Sequence, residues 1–249
     1  MWIGSLNDNG SVSKSYAGKI DEFALFNVVL NANSVATIYN SGKPFDLNYD
    51  RGNYNNASAL VAYWRMFNGP FDDKANGAVH DAHDPGFSAE KLTDGSFDNG
   101  LDDWTVTDNT DSDVSLSTDG GVGGSKAVQF TGDAANAYID IRETILTSGK
   151  TYKAQLDVKY ISGSGDAKLS IVAGSTAHNN KITLADSLVG SDFQSFTVYF
   201  VADGTSFRLK RQALASKVVI IDNVSVVELN GYPGLVAADA TFSTDTPDD

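Results

Sequence analysis

The chain has 249 residues, a formal net charge of −14 and no cysteine. That length suits one large domain or two modest ones. The missing cysteines exclude disulfides and Cys-based metal sites, and the acidic balance argues against nucleic acid, whose phosphates call for clustered Lys and Arg.

No apolar run approaches the ~20 residues a bilayer span needs, so no membrane insertion is expected. The opening MWIGSLNDNGS has neither a basic n-region nor an apolar h-region, and no secretory signal is expected. Glu stands only at Glu22, Glu90, Glu143 and Glu228; the other acids are Asp. The shorter acid competes for nearby backbone groups and favours turns, so the composition predicts many turns and little helix.

In chain order, GKIDEFALF (18–26) alternates as a half-buried strand, with Ile20, Phe23 and Leu25 inward after a local irregularity. NANSVATIYN (31–40) predicts a short helix. Asn31 caps it, Val35, Ile38 and Tyr39 share a face, and Gly42 and Pro44 stop it. After a polar loop at 48–58, LVAYWRMF (60–67) predicts a strongly apolar strand, and 68–90 returns to loop chemistry. From Lys91 onward short apolar strands alternate with Gly, Asp, Asn and Ser. They are predicted near 104–107, 113–117, 126–130, 137–142, 151–160, 167–173, 193–201, 206–211 and 218–228. With no amphipathic helix between them, the fold class is all-β, a β-sandwich. TYKAQLDVKY sends Tyr152, Ala154, Leu156, Val158 and Tyr160 one way and Lys153, Gln155, Asp157 and Lys159 the other. The acidic tail 230–249 is expected to be disordered alone unless a partner holds it.

Three resemblances attach to these residues. GKIDEFALF with Leu30, the short helix and YNSGKP resembles the C-terminal end of a LamG-like, concanavalin A-like jelly roll, and LVAYWRMFNG is similar to that family's opening strand. The order is an ending, then a beginning, with no middle. Residues 1–90 thus read as a partial LamG-like segment with one short helix, too short for two full sheets. An apolar face and open edges would remain, and these are association sites. Either the segment packs on a neighbouring chain or domain, or the chain is a piece of something longer. Residues 91–229 resemble a carbohydrate-binding-module jelly roll of the galactose-binding-like type, through LTDGSFDNGLDDW at its start and VVIIDNVSVVEL at its end. Together with VYFVADGTSFRLKR, the combination also resembles structural proteins of tailed bacteriophages.

The jelly-roll resemblance implies that the first and last strands lie side by side, joined by a structural calcium. Asp98 and Asp222 match the family's acidic positions and Ser96 is close enough to add an oxygen; calcium wants six to eight hard oxygens. The alternative is that Asp222 accepts hydrogen bonds and holds no metal. For a glycan, the outward positions Tyr199, Arg208, Gln155 and Asp157 are the candidates, with Tyr199 the one aromatic platform among them; the alternatives are a solvated face with no glycan and a site borne on loops. Trp104 matches a core position of the family. FRLKRQALASK gathers Arg208, Lys210, Arg211 and Lys217 as a docking patch for an acidic neighbour, with a plain solvated strand and turn as the alternative. His80 and His83, beside Asp81 and Asp84, sit in a Gly- and Pro-flanked loop that does not enforce zinc-ligand spacing and read as ordinary solvated loop residues.

No catalytic residues are expected: Asp is so abundant that a carboxylate pair carries no signal, and no nucleophile or phosphate-loop motif is present. Two functions remain. One is a non-enzymatic virion component, a capsid decoration or a tail or fibre part, located on the virion and contacting other virion proteins, copies of itself and a host-surface glycan. The other is a stand-alone glycan-binding module or adhesin.

Overall fold

A computed structural model describes residues 6–8, 11–13, 16–69, 71–107, 114–118, 120–131, 139–162, 169–174, 180–184, 189–211 and 218–235. The chain divides into two compact units, 1–86 together with 230–249, and 87–229.

In the first unit a small hairpin, β1 (Leu6–Asp8) and β2 (Ser11–Ser13), precedes β3 (Phe23–Phe26). The predicted strand is shortened at its start because Glu22 takes a positive φ of 49°, which breaks the extended run. Helix α1 (Ala32–Tyr39) starts where Asn31 accepts the amide of Ser34, the side-chain cap expected from the sequence. Its inner face carries one member of the expected apolar set, Ile38, which packs against the core of Leu47, Tyr54, Leu60 and Tyr63. Ser34 is wholly buried and donates to Asn53 and Asn56, while Val35 and Tyr39 are exposed. Hydrogen bonding of Ser34 to the 53–56 loop and packing of Ile38 together set the helix orientation, which leaves Val35 and Tyr39 outside. Strand β4 (Leu60–Trp64) pairs antiparallel with β3, and β5 (Ala78–Val79) follows. Leu47, Tyr54, Leu60, Tyr63 and Ala82 form one small core; Ala62, Trp64 and Val79 form another with Phe23. Ile20 and Leu25, expected inward, are both partly exposed.

The second unit is a jelly-roll β-sandwich. Its strands are β6 (Thr105–Thr107), β7 (Val114–Ser117), β8 (Ala127–Thr131), β9 (Ile139–Thr144), β10 (Thr151–Ser162), β11 (Leu169–Ala173), β12 (Asn180–Leu184), β13 (Gln194–Val201), β14 (Ser206–Arg211) and β15 (Val218–Glu228). They form two five-stranded antiparallel sheets, ordered β13-β10-β15-β8-β7 and β12-β11-β14-β9-β6. Nine of these strands coincide with the sequence reading; β12 was not anticipated. Tyr152, Ala154, Leu156 and Val158 of β10 enter the core against Phe130, Ile141, Phe207 and Leu209. The larger aliphatic and aromatic ones, such as Leu156, Val158 and Phe207, each contribute roughly 1.5–3 kcal/mol by leaving water.

Strand β15 carries a bulge. Ile221 and Val224 both reach the core although strict alternation would separate them. The register against β10 shifts between Gln155 and Asp157, and Asn223 has φ 50°.

The segment before the sandwich runs along β15. Lys91 donates to Val226, Glu90 accepts from Val226, and Val224 donates to Gly95. Trp104 is buried against Phe97 and donates its indole N–H to the carbonyl of Asp94, a core role. Beyond β15 the chain returns to the first unit, where β16 (Gly234–Leu235) pairs with β5 and Trp64 donates to the carbonyl of Tyr232. Asp81 fastens this return. It is wholly buried, and its carboxylate accepts the amides of Tyr63, His83 and Tyr232. The first part of the acidic tail is therefore held by its own chain.

Candidate functional site

The two sheets present very different outer faces. On β14, Phe207 and Leu209 enter the core, so Arg208 and Lys210 stand on the opposite side. On β9, Ile139 and Ile141 enter, so Asp140 and Arg142 face out; on β11, Leu169, Ile171 and Ala173 enter, so Ser170 and Val172 face out. Outer side chains of a sheet are ordinarily wet. Here Asp140 and Val172 are 0% exposed, Ser170 3%, Lys210 8% and Arg208 9%. Toward the sheet's two sides Thr105 on β6 and Thr183 on β12 are exposed. The face is shielded in its middle and open at its margins.

Charge is concentrated at this centre. Arg208 lies directly across from Arg142 in the β14–β9 ladder, and Lys210 lies across from Asp140. Opposed like charges in a ladder are unfavourable. Asp140 mediates between them: its oxygens lie 3.6 Å from Arg142 Nη1 and 3.5 Å from Arg208 Nη1. Both separations exceed the usual 2.7–3.2 Å of an N–H···O bond. Neither Asp140 oxygen, nor Arg208 Nε, has a hydrogen bond, although all three atoms are buried. Burial pushes the Asp140 carboxyl above the usual carboxylate range, against the pull of Arg208, Arg142 and Lys210. Burial also draws the Lys210 ammonium below its ordinary value, with Asp140 opposing. Among the described residues, Asp140 is the one acid on this face, and no aromatic ring stands there.

The opposite outer face, built on β10 and β13, is polar and more open. Asp157 accepts from Ser195 and from Asn223, and Gln155 donates to Thr197. Tyr199 lies across from Lys153 on the same face. The four glycan candidates therefore do not share a surface. Tyr199, Gln155 and Asp157 belong to one sheet and Arg208 to the other.

The docking patch is divided too. Arg208 and Lys210 share the shielded face, whereas Arg211 is 0% exposed on the core side and donates to the carbonyl of Phe130. Lys217 lies outside the described residues. The patch is not an exposed basic stripe, because β14 alternates and sends Arg211 into the sandwich.

Asp98, Asp222 and Ser96, the candidate calcium ligands, each have hydrogen-bond partners within the protein. Both Asp222 oxygens already accept protein donors: Oδ2 takes Val122 N–H and the Ser125 hydroxyl, and Oδ1 takes Asn223 N–H. Ser96 donates to Asp94 and to Asp98. The Lys126 ammonium, itself a cation, sits 2.6 Å from the Asp98 carbonyl. Among the described residues no cluster of three or more His, Asp or Glu is arranged to hold a metal. His80, expected to be a solvated loop residue, is instead wholly buried near Phe71, and His83 bonds Asn48 through Nδ1.

Residues 89–210 match the family described as "Carbohydrate binding domain". The match begins just ahead of the sandwich and ends within β14. Solved structures similar to this chain include the xylan-binding domain CBM22-1 of Xyn10C from Paenibacillus barcinonensis, at 15% identity and TM-score 0.41, with 58% of this chain and 95% of that one covered. Another is TmCBM61 in complex with beta-1,4-galactotriose, at 13% identity and TM-score 0.41, covering 56% and 98%. A third is the enzymatically active domain of tailspike protein 4 of bacteriophage CBA120, at 16% identity and TM-score 0.37, covering 56% and 21%. No curated protein matches the chain.

Sequence reasoning missed Asp140, Arg142 and Ser170. The signal available was IDIRE at 139–143, where two charges alternate with core residues. Its significance depends on the register that brings Arg142 opposite Arg208, and a single sequence does not reveal pairing.

Proposed function

We propose that the sandwich is a glycan-binding module whose site is the outer face of the β12-β11-β14-β9-β6 sheet. The observation that carries this reading is the combination of shielding and unspent polarity at Asp140 and Arg208. Buried polar groups are nearly always hydrogen-bonded, and exceptions concentrate where a ligand or water completes the set. A sugar ring brings many hydroxyls, each able to donate and accept. Ser170 and Thr183, already hydrogen-bonded to one another at 2.9 Å, add neutral partners on the β11–β12 side. Thr107, beside Arg142, does so on the β6 side. The family match at 89–210 supports the same reading. Amide chemical shifts of the labelled full chain, recorded against a panel of oligosaccharides, test it. The expected result is perturbation confined to β9, β11 and β14; perturbation of β10 and β13 instead would overturn it.

A second reading concerns the first unit. Val29 is 98% exposed, Tyr39 70% and Val35 52%, three exposed apolar residues within one short stretch of chain. Such a surface favours association. It agrees with a role in an assembly, though nothing on the molecule points to a virion as that assembly. Sedimentation velocity at increasing concentration tests it. A monomer throughout, unmoved by Val29→Asp, would remove the reading.

A further inference from the structure

Resting on the glycan-binding reading above, we propose that the ligand is an acidic glycan, a uronic-acid oligosaccharide whose carboxylate is received between Arg142 and Arg208. The ladder sets these two guanidinium-bearing residues directly opposite one another on a shielded face. Folding alone gives no reason for that arrangement, since opposed like charges weaken a ladder. Asp140, wholly buried, stands near both, yet at 3.5–3.6 Å it forms no hydrogen bond with either. The pairing is loose where a well-made Arg–carboxylate contact is short and forked. A second carboxylate arriving from solvent completes the charge balance and supplies the acceptor that Arg208 Nε lacks. Arg142, whose side chain is 33% exposed, is the group that the ligand meets first.

The composition of the face supports the same class. Neutral sugars are commonly gripped by aromatic rings stacked on their apolar faces, a use of the ring's area and its π-system. No aromatic stands on this face among the described residues. What the described residues of this face offer a ligand is charge and hydrogen bonds, and a planar carboxylate matches the guanidinium fork better than a hydroxyl does. The whole chain carries −14, so a cationic recess is also what lets an acidic polymer approach this protein at all.

The test is calorimetric titration of the full chain with a panel of uronic-acid oligosaccharides, oligogalacturonate among them, and with the methyl ester of each. The ester keeps the ring and removes the charge. The expected result is saturable binding of at least one acid, about tenfold or more weaker for its ester, and about tenfold weaker for the acid in Arg208→Gln. Raising salt to 1 M should weaken the acid and leave the ester unchanged. Arg142→Gln, at a more open position, gives the same readout should Arg208→Gln fail to fold. A sulfated neutral oligosaccharide forms a third arm, and binding of that arm alone would overturn the carboxylate assignment. Equal affinity for acid and ester would overturn the acidic-glycan proposal while leaving a glycan-binding face. Absence of binding to any acidic or neutral sugar would overturn both.

Discussion

Gly95 and Val224 meet backbone to backbone: the Val224 amide donates to the Gly95 carbonyl at 2.8 Å, and a Cβ on residue 95 would stand 1.8 Å from the Val224 carbonyl oxygen. The segment that opens the sandwich can lie against its last strand only because residue 95 has no side chain. Gly95→Ala should therefore push the two apart and cost about 3 kcal/mol, the upper end of ordinary overpacking. Urea denaturation of the full chain measures this, and a loss below about 0.5 kcal/mol would show that the contact yields easily.

Asp222 closes a different junction. Its carboxylate ties the bulge of β15 to the turn at 121–125, and a Cβ on Gly121 would reach within 2.7 Å of Oδ2. Asp222→Ala strands the Val122 amide and the Ser125 hydroxyl, at a cost of about 2 kcal/mol. Because these contacts are hydrogen bonds within the protein, EDTA should leave the melting temperature of the wild-type chain unchanged. A fall of several degrees on chelation would restore Asp98 and Asp222 as metal ligands.

Asp81 holds the returning chain to the first unit. Asp81→Ala removes the acceptor of three amides, including that of Tyr232. Hydrogen exchange should then accelerate at the Tyr232 amide, with the sandwich strands unaffected. Unchanged protection at Tyr232 would mean that the β16–β5 pairing and the Trp64 bond suffice.

Asp140 gives a pH dependence with a definite sign. Burial raises its folded-state pKa above the ordinary 3.8, so the folded state binds the proton more tightly than the unfolded one. This group's penalty on stability is full above the raised pKa and is relieved as pH falls through it toward 3.8. The charged groups facing it are Arg142 on its own strand and Arg208 and Lys210 on β14; Thr107 on β6 is neutral. The melting-temperature difference between Asp140→Asn and wild type should therefore become less favourable to the variant as pH falls from 7 toward 4. A difference that moved the other way would mean that the ion pairs outweigh desolvation.

Much of the sandwich was legible in the sequence because β10 and β13 alternate over eight or more residues, long enough for the two-residue period to speak for itself. Strand β12 was not, being five residues long with Ile182 and Leu184 as its whole apolar pattern. The bulge at Asp222 was hidden because it is the one place where β15 breaks its own period. The face around Arg208 illustrates a harder limit. Its outward direction could be read from Phe207 and Leu209, but its partner Arg142 lies 66 positions away in sequence. Arg211 was misplaced for the opposite reason: a run of basic residues suggested one surface, while strand geometry assigns its members to alternate sides. In the first unit, α1 packs through Ile38 as its apolar pattern suggests, but the hydrogen bonds of Ser34, which no apolar pattern records, keep Val35 and Tyr39 outside.

The account stands most directly on which face of the sandwich meets sugar, and one comparison decides it. The affinity of the best-binding oligosaccharide is measured for wild type, for Arg208→Gln on β14, and for the Gln155→Ala, Tyr199→Ala pair on the opposite sheet, each shown by circular dichroism to be folded. Loss of about tenfold or more in Arg208→Gln, with the opposite-sheet variant binding as wild type, is the predicted result. Loss confined to the Gln155 and Tyr199 variant, with Arg208→Gln unaffected, would contradict it.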